Sequence, residues 1–146
     1  MGGRGAASPS GRYGKNGERI YGTEYRSVWE YGNVKFIKTN FGRESTPLET
    51  QLDKIRKPNG RVYVIIDRKN RPHSISFYND ETGERTKTID FSGHTHKNPD
   101  GSIVGRNHVH NGYVHDENGS RAMSQEERQY TVEILRLWRK HRRGII

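Results

Sequence analysis

The apolar residues of this chain fall into a few short runs separated by polar, glycine-rich connections. Residues 61–67 contain a continuous, mostly β-branched run, which is typical of a central strand covered on both faces. Residues 73–78 alternate between apolar and polar side chains, and residues 85–91 form a further strand-like segment. Because short turns join these three segments, the pattern predicts an antiparallel meander, with the alternating residues 34–38 as a fourth strand.

A helical pattern closes the chain. Ser124 and Glu127 have the spacing of a capping box, in which serine and glutamate satisfy each other's free amides. The apolar and aromatic residues that follow recur on one wide helical face: Tyr130, Ile134, Leu137, Trp138 and His141. The basic residues 139–143 suit a helix C-terminus, and a phosphate-binding role for them is an equal alternative. Residues 20–31 fit either a short helix or an extended aromatic segment.

The predicted fold is therefore α+β: a three- to four-stranded antiparallel meander with a C-terminal helix packed on it and a long histidine-rich loop between them. Residues 1–19 are rich in Gly, Ser and Arg, which predicts a flexible, disordered basic tail. Residues 20–146 are then a single domain, which suits a chain of 146 residues.

Composition points to a polyanionic partner. The net charge is +9 and the pI is near 9.9, which favours nucleic acid, since clustered Lys and Arg bind phosphates. Eight Tyr and two Trp also favour nucleic acid, because aromatic rings can stack on unpaired bases, and RNA is the preferred partner. A basic surface that only aids solubility is the alternative. The chain has no cysteine for thiolate chemistry, and no apolar stretch long enough to predict a membrane partner.

The histidine-rich loop, residues 90–118, carries five of the seven histidines, which are His94, His96, His108, His110 and His115. Imidazole transfers protons near neutral pH and also binds metals. The two H-x-H pairs place imidazoles on the same side of an extended chain, so all five histidines are candidate ligands for zinc or another divalent metal.

Acid–base chemistry without a cofactor is the other interpretation. Cleavage of RNA by its own 2′-hydroxyl needs a base, an acid and cations that hold the phosphate. The predicted catalytic residues are His108, His110, His115, Glu49 and His96, and the predicted substrate-binding residues are Arg61, Arg106, Tyr113 and Arg43. Glu49 could instead be an ordinary turn residue and Arg61 a member of a surface ion pair. His73 and His141 are more simply packing residues.

Several motifs carry a resemblance. These are M-G-G-R-G at the start, Y-G-T-E-Y at 21–25, T-P-x-E-T followed by G-R-V-Y-V within 46–64, and H-x-H-N-G-Y-x-H-D-E-N at 108–118. The chain resembles small proteins of phages and integrative elements and C-terminal toxin-like domains fused to phage head-morphogenesis proteins. Many such domains are similar to the barnase–EndoU–colicin–RelE class of metal-independent RNases. The resemblance implies His108, His110, His115 and Glu49 as active-site residues, and the cytoplasm of a bacterial host as the place of action, reached by phage delivery. In that class the helix precedes the sheet, whereas here it follows.

Three functions follow as hypotheses. The first is a phage-associated, toxin-like endoribonuclease that uses histidine acid–base chemistry. The second is a metal-dependent nuclease with histidine ligands. The third is a non-catalytic phage protein that binds or inhibits a host nucleic-acid-processing complex. A neutralising or host protein would be a further partner in the first and third cases.

Overall fold

The computed structural model describes residues 6–8, 11–17, 19–21, 24–40, 45–50, 60–91, 96–98, 100–101, 103–104, 107–113 and 119–146. In chain order the strands are β1 (Ala6–Ala7), β2 (Arg12–Tyr13), β3 (Arg19–Ile20), β4 (Tyr25–Tyr31), β5 (Val34–Thr39), β6 (Glu49–Thr50), β7 (Val62–Ile66), β8 (Pro72–Tyr78), β9 (Arg85–Asp90), β10 (His96–Lys97), β11 (Ile103–Val104), β12 (His108–Asn111) and β13 (Ser120–Ala122). The helix α1 (Gln125–Arg142) follows.

One mixed sheet dominates, with the strand order β13-β12-β9-β8-β7-β5-β4. Every neighbouring pair is antiparallel except β5 and β7, which run parallel. The α+β class, the antiparallel meander β7-β8-β9 and the C-terminal helix are confirmed. The sheet has seven strands instead of the expected three or four. The aromatic segment 25–31 is extended, part of the histidine-rich loop joins the sheet, and residues 120–122 add an edge strand.

The apolar core lies between the sheet and the helix. All five residues of β7 are buried, as the β-branched run predicts for a central strand. On the helix side, Val64 and Ile75 of the sheet belong to one cluster with Ile134 and Trp138 of α1. The helix starts at the predicted capping box, in which Ser124 Oγ accepts from the Glu127 amide at 3.1 Å and Glu127 accepts from the Ser124 amide at 2.8 Å. Among the described residues, no helix combines the length and apolar character needed to cross a bilayer.

The opposite face of the sheet has its own apolar cluster, made of Ala6, Tyr25, Ile37, Tyr63, Ile65 and Tyr78. Strand β1 pairs with β6 beside this cluster, and both of its alanines are fully buried. Ala6 and Ala7 lie within the segment expected to be a tail, and their side chains are buried while their backbone pairs with Glu49 and Thr50. These contacts place β6 next to the sheet.

The remaining part of this opposite face is polar. Ser74 of β8 lies opposite Asp90 of β9, and Asp90 lies opposite His108 of β12. Successive side chains of a strand point to opposite faces. Ile75, Ile89 and Val109 therefore point toward the helix. The same alternation therefore builds the core on one face and gathers serine, aspartate and histidines on the other.

Glu127 links the helix to the edge of the sheet. Its buried carboxylate accepts hydrogen bonds from Arg121 at 2.7 and 2.8 Å and from Lys87 at 2.8 Å. The hydrogen bonds from Arg121, followed by those from Lys87 and the Ser124 amide, hold the pKa of Glu127 well below its usual range against the opposing effect of burial.

We predict that Glu127→Gln lowers the free energy of unfolding by about 2 kcal/mol at pH 7, the usual value of hydrogen bonds to a charged group. Because the pKa is lower in the folded than in the unfolded chain, this stabilisation is complete above about pH 5 and is lost as the pH falls below the unfolded value of about 4.3. Urea unfolding at pH 7 and pH 3 measures both effects. Glu126→Gln is the control, since Glu126 is exposed in the same helical turn. Equal losses at the two pH values would contradict the assignment.

Candidate functional site

Two of the predicted histidines lie inside the sheet instead of in a loop. Strand β12 is inserted between β9 and β13, and its central residue Val109 is fully buried toward the helix. His108 and His110 consequently point to the polar face, where they are 2% and 8% exposed. Residues 108–111 thus differ from the long loop expected, because H-V-H is an alternating strand pattern when an apolar neighbour can be buried.

The strand register brings an acid to the two histidines. His108 Nε2 and His110 Nε2 are 3.0 Å apart, and they lie 4.0 and 3.9 Å from Asp90 Oδ2. On the other side, Ser120 Oγ of β13 is 2.8 Å from His110 Nδ1. The hydroxyl fixes the orientation of the His110 ring, so Nε2 is the nitrogen that faces the cluster. These atoms could share a proton or hold a metal ion.

A cavity of about 170 Å³ opens beside this cluster. Strands β8, β9 and β12 supply most of its wall, and residues 45–46 supply the rest. The polar lining includes Ser74, Arg85, Thr88, Asp90, His110 and Thr46. A concave site with convergent polar groups is where a small charged ligand or a reacting group would bind.

Arg85 is the cation of this cavity. Its guanidinium is bound by neutral groups: Nη2 and Nε donate to the Tyr113 carbonyl at 2.8 and 3.1 Å, and Nη1 donates to Thr46 Oγ1. Arg85 is only 8% exposed, and no described carboxylate lies within ion-pairing distance of it. Burial lowers the pKa of Arg85 from its usual value. A buried arginine is costly unless its charge is compensated, so this arrangement favours binding of an anion.

Ser74 is a second residue of this cavity that favours binding of an anion. Its side chain is buried, and its Oγ has no hydrogen-bond partner among the described residues. A buried hydroxyl without a partner costs free energy in the unliganded protein. Because this hydroxyl lines the cavity that Arg85 enters, a bound oxyanion would satisfy both groups.

Glu49 and Tyr113 are hydrogen-bonded to each other, and Tyr113 connects the pair to Arg85 in the cavity wall. Glu49 accepts hydrogen bonds from the Tyr21 hydroxyl at 3.2 Å and from the Tyr113 hydroxyl. Tyr113 also binds Arg85 through its carbonyl, as described above. The structure therefore joins two predicted site residues to the cavity wall by hydrogen bonds, across 64 positions of sequence.

Of the remaining predicted residues, the structure describes only Arg61 and the backbone of His96. Arg61 forms an ion pair with Glu30 at 3.0 Å and does not line the cavity. His96 lies in β10, which pairs with β11 outside the main sheet. His94, His115, Arg43 and Arg106 lie outside the described residues.

Seven of the eight residues that line this cavity were not predicted as site residues, and they include His73, which the sequence favoured as a packing residue. Three of the seven carry the chemistry of the cavity: Asp90, Arg85 and Ser74. Asp90 opens the histidine-rich segment, but only the β9–β12 register shows that it faces His108. Alternation along residues 85–91 was available as a signal, since it places Thr88 and Asp90 on one face. Nothing in the sequence distinguishes Arg85 from the chain's other basic residues, because its burial depends on residues 45–50 and 113.

Comparison of the chain with family models, with curated proteins and with solved structures gave no match.

We predict opposite effects for two serines on the same face of β8. Ser74→Ala removes a hydroxyl without a partner and should raise the free energy of unfolding by about 1 kcal/mol, while it weakens inorganic phosphate binding. Ser76→Ala is the matched control: its Oγ bonds Thr88 Oγ1 at 3.1 Å, so its loss should destabilise by about 1 kcal/mol. Urea unfolding with and without phosphate measures both. Destabilisation by Ser74→Ala with unchanged phosphate affinity would contradict a ligand-binding role.

Proposed function

We propose that this chain is an endoribonuclease that cleaves RNA at the cavity beside β8, β9 and β12, using histidine acid–base chemistry. The observation that carries the proposal is the pairing of a buried Arg85, which has only neutral partners among the described residues, with His110 in one cavity. An anion site next to a proton-transfer group is the minimum that phosphodiester cleavage needs.

The scissile phosphate would bind between the Arg85 guanidinium and the Ser74 hydroxyl. Guanidinium donors match the geometry of phosphate oxygens, and their attraction is stronger in a site that excludes water. Both groups are already ordered by the sheet, so they need not rearrange as charge builds up on the phosphorane.

His110 is the residue best placed to act as the base. It lines the cavity, and Ser120 fixes its ring. In the proposed step His110 takes the proton of the 2′-hydroxyl, the 2′ oxygen bonds phosphorus, and the bond from phosphorus to the 5′ oxygen breaks. The leaving oxygen takes a proton from a second group, and the products are a 2′,3′-cyclic phosphate and a 5′-hydroxyl. His108 is more deeply buried and would position His110 through their 3.0 Å contact.

His115 is the proposed source of that second proton, and Glu49, which accepts hydrogen bonds from two hydroxyls, is proposed to position Tyr113. Glu49 is tied to the cavity wall through Tyr113 and Arg85. His115 follows Tyr113 by two positions in the H-x-H-N-G-Y-x-H motif. The same motif supports, by resemblance, a phage-associated toxin-like role in a bacterial host.

A metal-dependent nuclease is the second candidate, and one observation favours it. The ligand atoms of Asp90, His108 and His110 lie within 4.8 Å of one another, with separations of 3.0 to 4.0 Å between the closest pairs. Ligands at about 2.0–2.2 Å from zinc lie roughly 3.0–3.5 Å apart, so small side-chain rotations would complete a two-histidine, one-carboxylate site. The Ser120 contact at Nδ1 suits ligation through Nε2. Such an ion would polarise the phosphate or activate water.

We predict that His110→Ala lowers the cleavage rate by about 10³-fold, within the usual range for loss of a general base or acid. The substrate is a labelled DNA oligonucleotide with one ribonucleotide, and the expected product carries a 2′,3′-cyclic phosphate. The all-deoxy oligonucleotide is the control and should remain intact. Full activity in His110→Ala would refute the proposal, and RNA binding without any cleavage by the native chain would favour the non-catalytic alternative.

Chelation separates the two candidates. Acid–base chemistry predicts that cleavage by the native chain continues in EDTA and that the purified protein carries no stoichiometric metal. The metal-dependent candidate predicts one zinc per chain by elemental analysis, lost both in EDTA and in Asp90→Asn, with a cleavage rate that zinc restores only in the native chain.

A further inference from the structure

A groove of about 490 Å³ lies between the C-terminal end of α1 and the turn between β7 and β8. The helix contributes Arg139 and Arg142, and the chain just beyond it contributes Arg143. The turn contributes Asn70 and Arg71. Each wall of the groove therefore carries at least one arginine, beside the apolar side chains of Pro72, Leu135 and Trp138.

The groove continues toward the candidate site. A second cavity, of about 360 Å³, is lined by Arg68, Lys69, Arg71 and His73 along the same turn. Arg71 lines both of these cavities, and His73 lines both the second one and the cavity that contains Arg85. Consecutive cavities thus share one lining residue each, and we call the series of three, from the end of the helix to the proposed reaction site, the basic groove.

The charge along the basic groove is nearly all of one sign. Its first two cavities are lined by six basic residues and one acidic residue, Asp67. Asp67 is already engaged, since it accepts from the Lys69 and Arg71 amides at 2.9 Å and from Arg71 Nε at 3.3 Å. Among the described residues, no carboxylate pairs with Arg139, Arg142 or Arg143, and all three are exposed. These cations are available to phosphates.

The two walls are fixed relative to each other. Trp138 Nε1 donates to the Asn70 carbonyl at 2.8 Å, which ties the helix to the turn. Asn70 has a φ of 62°, a left-handed conformation that asparagine tolerates, and its side chain accepts from Lys38. The helix dipole accounts for cations in the last turn of α1, but it does not account for the basic turn placed opposite them.

We propose that the basic groove binds the sugar–phosphate backbone of a single RNA strand and leads it to the cavity that contains Arg85. The choice of RNA rests on the proposed function, whereas the polyanion chemistry follows from the groove itself. A single strand is favoured because in-line attack by a 2′-hydroxyl needs a nucleotide that is free of an A-form helix. Contacts of this kind depend on charge and little on sequence.

The test is fluorescence anisotropy with a labelled, single-stranded 2′-O-methyl oligonucleotide, which cannot be cleaved through its 2′ position. Arg139→Gln with Arg142→Gln should reduce the slope of log K against log salt by about 1.4, from roughly 0.7 for each lost phosphate contact. By the same relation, affinity at 0.1 M salt should fall about 25-fold. Arg128→Gln with Arg136→Gln is the matched control on the same helix, because both residues are exposed and neither lines the groove. Circular dichroism and thermal unfolding should show both variants folded.

Equal binding by the two double variants would overturn the inference. Displacement of the oligonucleotide by polyglutamate at equal charge concentration would also overturn it, and would assign the groove to an acidic protein. His110→Ala separates this result from the proposed function: loss of cleavage with unchanged binding supports both. Unchanged cleavage in His110→Ala refutes the acid–base proposal but does not test the groove. The groove proposal stands if the Arg139 and Arg142 double variant still binds more weakly than its control.

Discussion

The alternation of side chains across β8, β9 and β12 is the constraint on which the rest of this structure depends. On one face, Ile75, Ile89 and Val109 form the core under the helix. Each has polar neighbours that must then point to the other face, where Ser74, Asp90 and His108 meet by strand register. The candidate site is therefore a consequence of the same pairing that buries the core, and a register shift of one residue would destroy both.

The chemistry of the candidate site depends on what covers this polar face. The segment that includes β6 lies beside it, where Thr46 and the Tyr113 carbonyl enclose the Arg85 guanidinium. Enclosure makes Arg85 different from the chain's exposed arginines, since a desolvated cation attracts an oxyanion far more strongly than a cation in water does. Ser74 lines the same cavity, and its buried hydroxyl has no partner among the described residues. The unpartnered hydroxyl and the proposed anion affinity would thus have one origin, as is common at functional sites.

The histidine cluster supports two chemistries because the same geometry serves both. Two Nε2 atoms at 3.0 Å beside a carboxylate can pass a proton, and they can also converge on one ion. Ser120 orients His110 in either case. The basic groove is compatible with either chemistry, because phosphate recognition by arginine does not depend on how the phosphodiester bond is broken. If RNA binds along the basic groove as proposed, the strand would reach the cavity from the helix end.

The sequence by itself determined the local elements: a buried central strand from a β-branched run, a meander from short turns, a capped helix from Ser124 and Glu127, and a histidine-rich segment as the place of interest. These signals are local, since each depends on residues a few positions apart. Only the tertiary structure decided that β4, β12 and β13 extend the sheet, that Asp90 meets His108 and His110, and that Arg85 is buried while Arg61 pairs with Glu30. Strand register and burial join residues far apart in the chain, and their energies depend on neighbours that a linear pattern does not identify.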